Sequence, residues 1–119
     1  MNSLHQMVNR QGISFEDAVE MVGPGWAPLI NHIYEEAGKL DPAILIIQVK
    51  EKFGRLRIYW DSPERRKADN MQLLPFCDII HQAESDSAKI CELCGNQGSI
   101  NYSETWLKAR CPDHEGHSI

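Results

Sequence analysis

Two pairs of metal-ligand residues lie near the C-terminal end of the sequence: Cys91 with Cys94 and, after sixteen intervening residues, Cys111 with His114. A gap of two residues lets the chain bend until both side chains of a pair reach one ion. The stretch between is long enough for a hairpin that brings the pairs together. Three thiolates and an imidazole form a tetrahedral Zn²⁺ donor set, so the expected cofactor is a structural zinc on Cys91, Cys94, Cys111 and His114. His117, three residues beyond His114, is the alternative fourth ligand. Four protein donors leave no position for water or substrate, and neither H-x-E nor H-E-x-x-H occurs in the chain. The expected role of the metal is therefore that of a staple.

Other uses of these cysteines fit less well. Disulfides belong to oxidising compartments, whereas Met1 to Arg10 is polar and lacks an apolar signal segment, which predicts a cytoplasmic protein. A redox C-x-x-C would want a βαβ setting and would leave Cys111 and His114 without a role. Cys77 and His81 share one face of a predicted helix, the spacing of a nucleophile and its base. No oxyanion donor or orienting third group accompanies them, so Cys77 is expected to be a small core residue and no catalytic residue is assigned. His5 and His32 are expected to be core or surface histidines.

A second cluster has the chemistry of anion recognition. Between residues 50 and 67 stand seven basic residues (Lys50, Lys52, Arg55, Arg57, Arg65, Arg66, Lys67) against three acidic ones, a local excess of +4 in a chain of net charge −5. Arg55, Arg57 and Tyr59 alternate along one strand and should project together, beside Lys50 and Lys52. Guanidinium groups grip phosphates and carboxylates alike. The alternative is an ordinary solvated face paired with nearby acids. The negative overall charge disfavours indiscriminate nucleic-acid binding and weighs toward a protein partner, with nucleic acid as the second choice.

The elements that must position these residues can be read from periodicity and breakers. With 119 residues, 42% hydrophobic, the chain suits one domain, and no apolar run is long enough to span a membrane. Ser14 caps a helix carrying Phe15, Ala18, Val19 and Val22, which Gly23-Pro24-Gly25 ends. A second helix, 27–37, bears a stripe of Trp26, Leu29, Ile30, Ile33, Tyr34 and Ala37, with Gly38 as its stop. Residues 44–50 and 55–60 form a hairpin turning at Gly54, with Leu56, Ile58 and Trp60 on its inner face. A third helical region spans about 64–85, carrying Met71, Leu74, Ile80 and Ala83, and Pro75 predicts a kink in it or two abutting helices.

From residue 89 onward, Ile90, Leu93, Ile100, Tyr102, Trp106 and Leu107 offer a core too small to hold without a metal. Gly95 and Gly98 should supply positive φ angles, 99–103 and 106–110 should pair as strands, and Pro112 should open a short helical turn. The fold class is thus α+β. Residues 1–88 are helices plus a hairpin, and 89–119 form a zinc-binding subdomain of zinc-ribbon or treble-clef type within one domain.

The string Gln48-Val49-Lys50-Glu51-Lys52-Phe53-Gly54-Arg55-Leu56-Arg57, with Gly25-Trp26 upstream and Cys91-x-x-Cys94-Gly95 and Cys111-x-x-His114 downstream, resembles a group of small phage and prophage proteins. The resemblance covers roughly residues 23–114; Pro75 within the third helix departs from the group's pattern. It implies a cytoplasmic host context and a non-enzymatic protein that binds a host macromolecule, for instance a defence complex such as a CRISPR effector. A nucleic-acid-binding regulator is the second expectation. An HNH-like nuclease, resting on His117 alone, is the least favoured.

Overall fold

The computed structural model describes residues 12–63, 73–103 and 105–115. Expectations that fall on Met1–Arg10, His5, Arg65, Arg66, Lys67, Met71 or His117 lie outside these residues. The described chain is α+β: three α-helices, an antiparallel hairpin and a second, minimal hairpin near the ligand pairs.

Helix α1, Phe15–Glu20, starts where the capping pattern places it, with Ser14 Oγ accepting from the Asp17 N–H at 3.1 Å. The Gly23-Pro24-Gly25-Trp26 segment follows as a single 3₁₀ turn and leads into α2, Ala27–Leu40. Its buried residues Ile30, Ile33 and Ala37, with Trp26 before them, follow the predicted stripe. Gly38 does not stop this helix. It is exposed, and the chain continues helically to Leu40 before Asp41-Pro42 turns it. A glycine on a solvent face weakens a helix but breaks it only when the next residues also disfavour it.

Strands β1, Leu45–Lys52, and β2, Arg55–Asp61, pair antiparallel with Lys52 opposite Arg55, so Phe53-Gly54 is a two-residue turn. Both turn residues have positive φ, 55° for Phe53 and 84° for Gly54, as a type I′ hairpin requires. A bulge between Ile46 and Gln48 lets Ile46 and Val49 both point inward although they are three positions apart. Opposite them, Leu56, Ile58 and Trp60 are buried as the alternation predicts.

A two-stranded sheet has two open edges, and each is partly occupied. Ile13 N–H donates to the Ile46 carbonyl at 2.8 Å on the β1 side. Helix α3, Leu74–Ser87, runs along β2, where Leu56 N–H donates to Ser87 Oγ at 2.8 Å and Ile58 N–H to Glu84 Oε2 at 3.0 Å. Side chains of a helix thus satisfy strand donors that would otherwise invite another strand.

Pro75 lies in the first turn of α3 and produces no kink, because at that position its missing N–H has no partner to lose. The inward face of α3 is Phe76, Ile80, Ala83 and Ser87, with Leu73 before it, while Leu74 is 51% exposed. Trp60 meets Phe76 edge-to-face, their centroids 4.9 Å apart, at the centre of the α3–sheet interface.

Strands β3, Ser99–Ile100, and β4, Ala109–Arg110, form the second hairpin, shorter than expected. Ile100 and Ala109 join the main hydrophobic core, with Ile90 and Leu107 half-buried against it. Tyr102 and Trp106 do not: they are 65% and 55% exposed. Two backbone approaches seat this region on the rest. A Cβ at Gly25 would overlap the Cys91 carbonyl oxygen, and Gly25 N–H donates to the Glu92 carbonyl at 2.7 Å. Beside it, Trp26 Nε1–H donates to the Ile90 carbonyl at 3.0 Å. At the other side, Gly54 of the hairpin tip abuts the Ile100 side chain.

Candidate metal centre and basic hairpin face

Cys91 and Cys94 sit on a tight turn closed by the Gly95 N–H donating to the Cys91 carbonyl at 2.9 Å. Gly95 has φ 84°, whereas Gly98 is needed for space: a Cβ there would lie 2.6 Å from the Arg110 carbonyl oxygen. Arg110 ends β4 and hands the chain to Cys111, after which Pro112–His114 form a 3₁₀ turn that brings His114 back. The four donor atoms, three Sγ and one imidazole nitrogen, all lie within 4.8 Å of one another.

Cys94 Sγ and Cys111 Sγ are 3.6 Å apart, Cys91 Sγ and His114 Nδ1 3.6 Å, and Cys111 Sγ and His114 Nδ1 3.1 Å. A tetrahedron with metal–sulfur bonds of ~2.3 Å and metal–nitrogen bonds of ~2.0 Å has S···S edges of about 3.8 Å and S···N edges of about 3.5 Å. The cluster therefore fits one ion and can hold it. Cys77, on α3, takes no part; it packs half-buried against the core and makes no hydrogen bond with the exposed His81.

Local electrostatics favour the thiolate at Cys91 and oppose it at Cys94. Burial pushes the Cys91 thiol up, but backbone N–H groups of Cys111, Cys94 and Leu93 outweigh it and bring the group down to about 6. For Cys94 the Asn96 backbone N–H works in the same direction. It is overcome by burial and by the neighbouring Cys111 and Cys91 sulfurs, and the net shift is upward.

Glu92 and Arg110 flank the ligands and pair at 3.2 Å, with side chains only 4% and 5% exposed. Glu92 N–H also donates to the Ala109 carbonyl, so the two ligand-bearing segments are tied by more than the metal cluster. Arg110 Nη1 donates as well to the Ala109 carbonyl, while its Nε and Nη2 are buried without a partner. Residue periodicity gave no sign of this pair, since charged residues in a short loop read as solvated.

The basic residues assemble as their alternation predicts. Lys50 stands directly opposite Arg57 and Lys52 opposite Arg55, so four cations share the outer face of the β1–β2 hairpin with Tyr59 beyond them. Like charges directly across an antiparallel pair repel. Arg57 is compensated by Glu84, 3.8 Å away, but Lys50, Lys52 and Arg55 have no carboxylate partner among the described residues. Lys50 Nζ lies 5.4 Å from the Tyr59 ring centroid. Glu51, on the inner face, is occupied elsewhere: it accepts from Lys108 Nζ at 2.7 Å and from the Gly54 N–H.

No family model, curated protein or solved structure matches the chain. Among the described residues no helix is long and apolar enough to cross a membrane.

Proposed function

We propose that the protein is a non-enzymatic binding protein with a structural zinc on Cys91, Cys94, Cys111 and His114, and that it docks an anionic macromolecule on the outer face of its β1–β2 hairpin. The donor set supports zinc: three sulfurs and one imidazole at tetrahedral spacing suit that ion and complete its sphere. A completed sphere leaves no position for an activated water, which supports a staple over a catalyst.

The observation that carries the binding function is the pair of like-charge oppositions, Lys50 with Arg57 and Lys52 with Arg55. A fold selected for stability alone gains by breaking such a cluster with an acid. A fold that must grip phosphates or carboxylates keeps it. The resemblance to phage and prophage proteins supports a host macromolecule as the partner.

Affinity capture from host lysate, in low and high salt and with nuclease, tests this function against the double reversal Lys52→Glu/Arg55→Glu. Wild-type protein should retain a partner at low salt that high salt and the double variant both release. Identical capture by the two proteins would refute the proposed face. For the metal, elemental analysis should find one zinc per chain, and folded protein free of metal would refute the staple.

A further inference from the structure

Where the hairpin tip meets the loop between β3 and β4, three aromatic rings face solvent: Phe53, Tyr102 and Trp106. Contacts tie Phe53 and Tyr102 to the basic cluster, and Trp106 to Lys108, whose charge Glu51 already pairs. Arg55 Nη2 donates to Tyr102 Oη at 3.3 Å, Lys52 Nζ lies 5.7 Å from the Phe53 ring centroid, and Lys108 Nζ lies 4.7 Å from that of Trp106. Gly54 seats the tip directly on Ile100 and Leu107, so rings and cations from two distant parts of the chain form one surface.

Phe53 makes the case sharper. The first central position of a type I′ turn favours Asn, Asp or Gly, yet here a bulky residue occupies it at φ 55°. The result is a ring held out at the apex, in a backbone conformation that rings seldom adopt. Trp106 and Tyr102 are likewise exposed although the core a few residues away takes Ile100 and Ala109.

We infer that this surface binds single-stranded nucleic acid, with Phe53, Tyr102 and Trp106 as stacking platforms for bases and Lys50, Lys52 and Arg55 as phosphate contacts. The inference rests on the anionic-partner function proposed above and names the partner's class. Each base has two flat apolar faces and each linkage a negative charge, so a single strand matches rings alternating with cations. A duplex buries its base faces in the stack and offers phosphates and base edges instead, neither of which a ring can stack on. An acidic protein surface would engage the cations and leave three rings in water. Chain-wide charge is net negative, which confines any such binding to this one end.

The test is fluorescence polarisation of the full-length zinc-loaded protein with labelled oligothymidine and oligouridine of about 16 nucleotides, a duplex of equal length, and polyglutamate. Single strands should bind more tightly than duplex, and affinity should fall with salt. Trp106→Ala and Phe53→Asn should each weaken single-strand binding about tenfold or more, with zinc content unchanged. Phe53→Asn suits the turn, so its loss of binding cannot come from a misfolded tip. Arg55→Glu should abolish binding.

Duplex and single strand bound equally, or ring variants that bind as wild type does, would overturn the inference. Polyglutamate bound in an Arg55-dependent way with no oligonucleotide bound would also overturn it, yet leave the anionic-partner function standing. Binding to none of the probes, together with unchanged lysate capture by the charge-reversed protein, would remove both.

Discussion

Phe53 carries a left-handed backbone that costs a residue with a Cβ about 1–2 kcal/mol. Asn tolerates that conformation, and Asn-Gly is a favoured type I′ pair. Phe53→Asn should therefore raise stability by about 1 kcal/mol, read as an increase of roughly 3–5 °C in the thermal midpoint. Stabilisation on removing a large side chain would mark Phe53 as held for something other than the fold. Tyr34 shows the reverse case, a polar atom that the fold needs. Its hydroxyl donates to the Ile13 carbonyl at 2.7 Å, and burial, then Asp17 and Glu16, pushes its ionisation from 10.0 up to about 12. The folded state thus holds this proton more tightly than the unfolded chain does. The stabilisation is complete below pH 10.0 and is lost as pH rises toward about 12. Denaturant titrations across that window should show a steeper alkaline decline in wild type than in Tyr34→Phe. Single residues were legible in the sequence where chemistry restricts choice: four Cys and His donors whose spacing brings them together, Ser14 as a cap, Gly54 in a turn. The exposure of Tyr102 and Trp106 was not legible, because hydropathy assigned both rings to the small C-terminal core and carries no information on where that core ends.

At the level of elements, the β3–β4 hairpin holds with only two paired positions, which hydrogen bonding alone would not sustain. Its supports are the docking of Ile100 and Ala109 into the main core, the buried Arg110–Glu92 pair and, with the proposed zinc bound, the Cys/His cluster. That pair invites a measurement. Breaking a buried ion pair from one side costs about 3–5 kcal/mol, because the remaining charge is stranded. Arg110 already has two buried nitrogens without partners, so it has little to fall back on. Glu92→Ala should lose stability in that range by chemical denaturation. The double variant Glu92→Ala/Arg110→Met should recover much of the loss, since no charge is then left buried. Equal losses in single and double variants would mean that the two side chains act through packing alone. Helix and strand periods placed α1, α2, β1 and β2 to within a few residues. The same patterns extended β3 and β4 too far: Tyr102 and Trp106 keep the alternation of a strand without sheet partners to use it. At Pro75 the structure shows a helix start at Leu74, one of the two outcomes expected there, while residues 64–72 lie outside the described residues.

Over the whole molecule, the ligand cluster and the helical core are built as one body. Trp26 donates to Ile90 just ahead of the first ligand pair, Gly25 touches Cys91 and Gly95, and Gly54 rests on Ile100. Zinc affinities of about 10–16 kcal/mol in isolated finger peptides match or exceed the ~5–15 kcal/mol that holds an ordinary domain together. Removing the proposed zinc should therefore unfold more than the β3–β4 hairpin. On chelator titration, far-ultraviolet dichroism, which follows α2 and α3, and fluorescence of the buried Trp26 and Trp60 should fall together in one transition. Unchanged helical signal while Cys91, Cys94 and Cys111 become reactive to thiol reagents would show instead that the metal secures only its own loops. Gly25→Ala tests the same coupling from the opposite side. Its methyl group must displace the Cys91 backbone, so zinc affinity should drop at least tenfold although no ligand has been altered. The Gly23-Pro24-Gly25-Trp26 segment, which on sequence grounds merely ended a helix, is on this argument the seat that sets the first ligand pair. A variant that shifts the seat must then disturb the metal even while α1 and α2 remain intact.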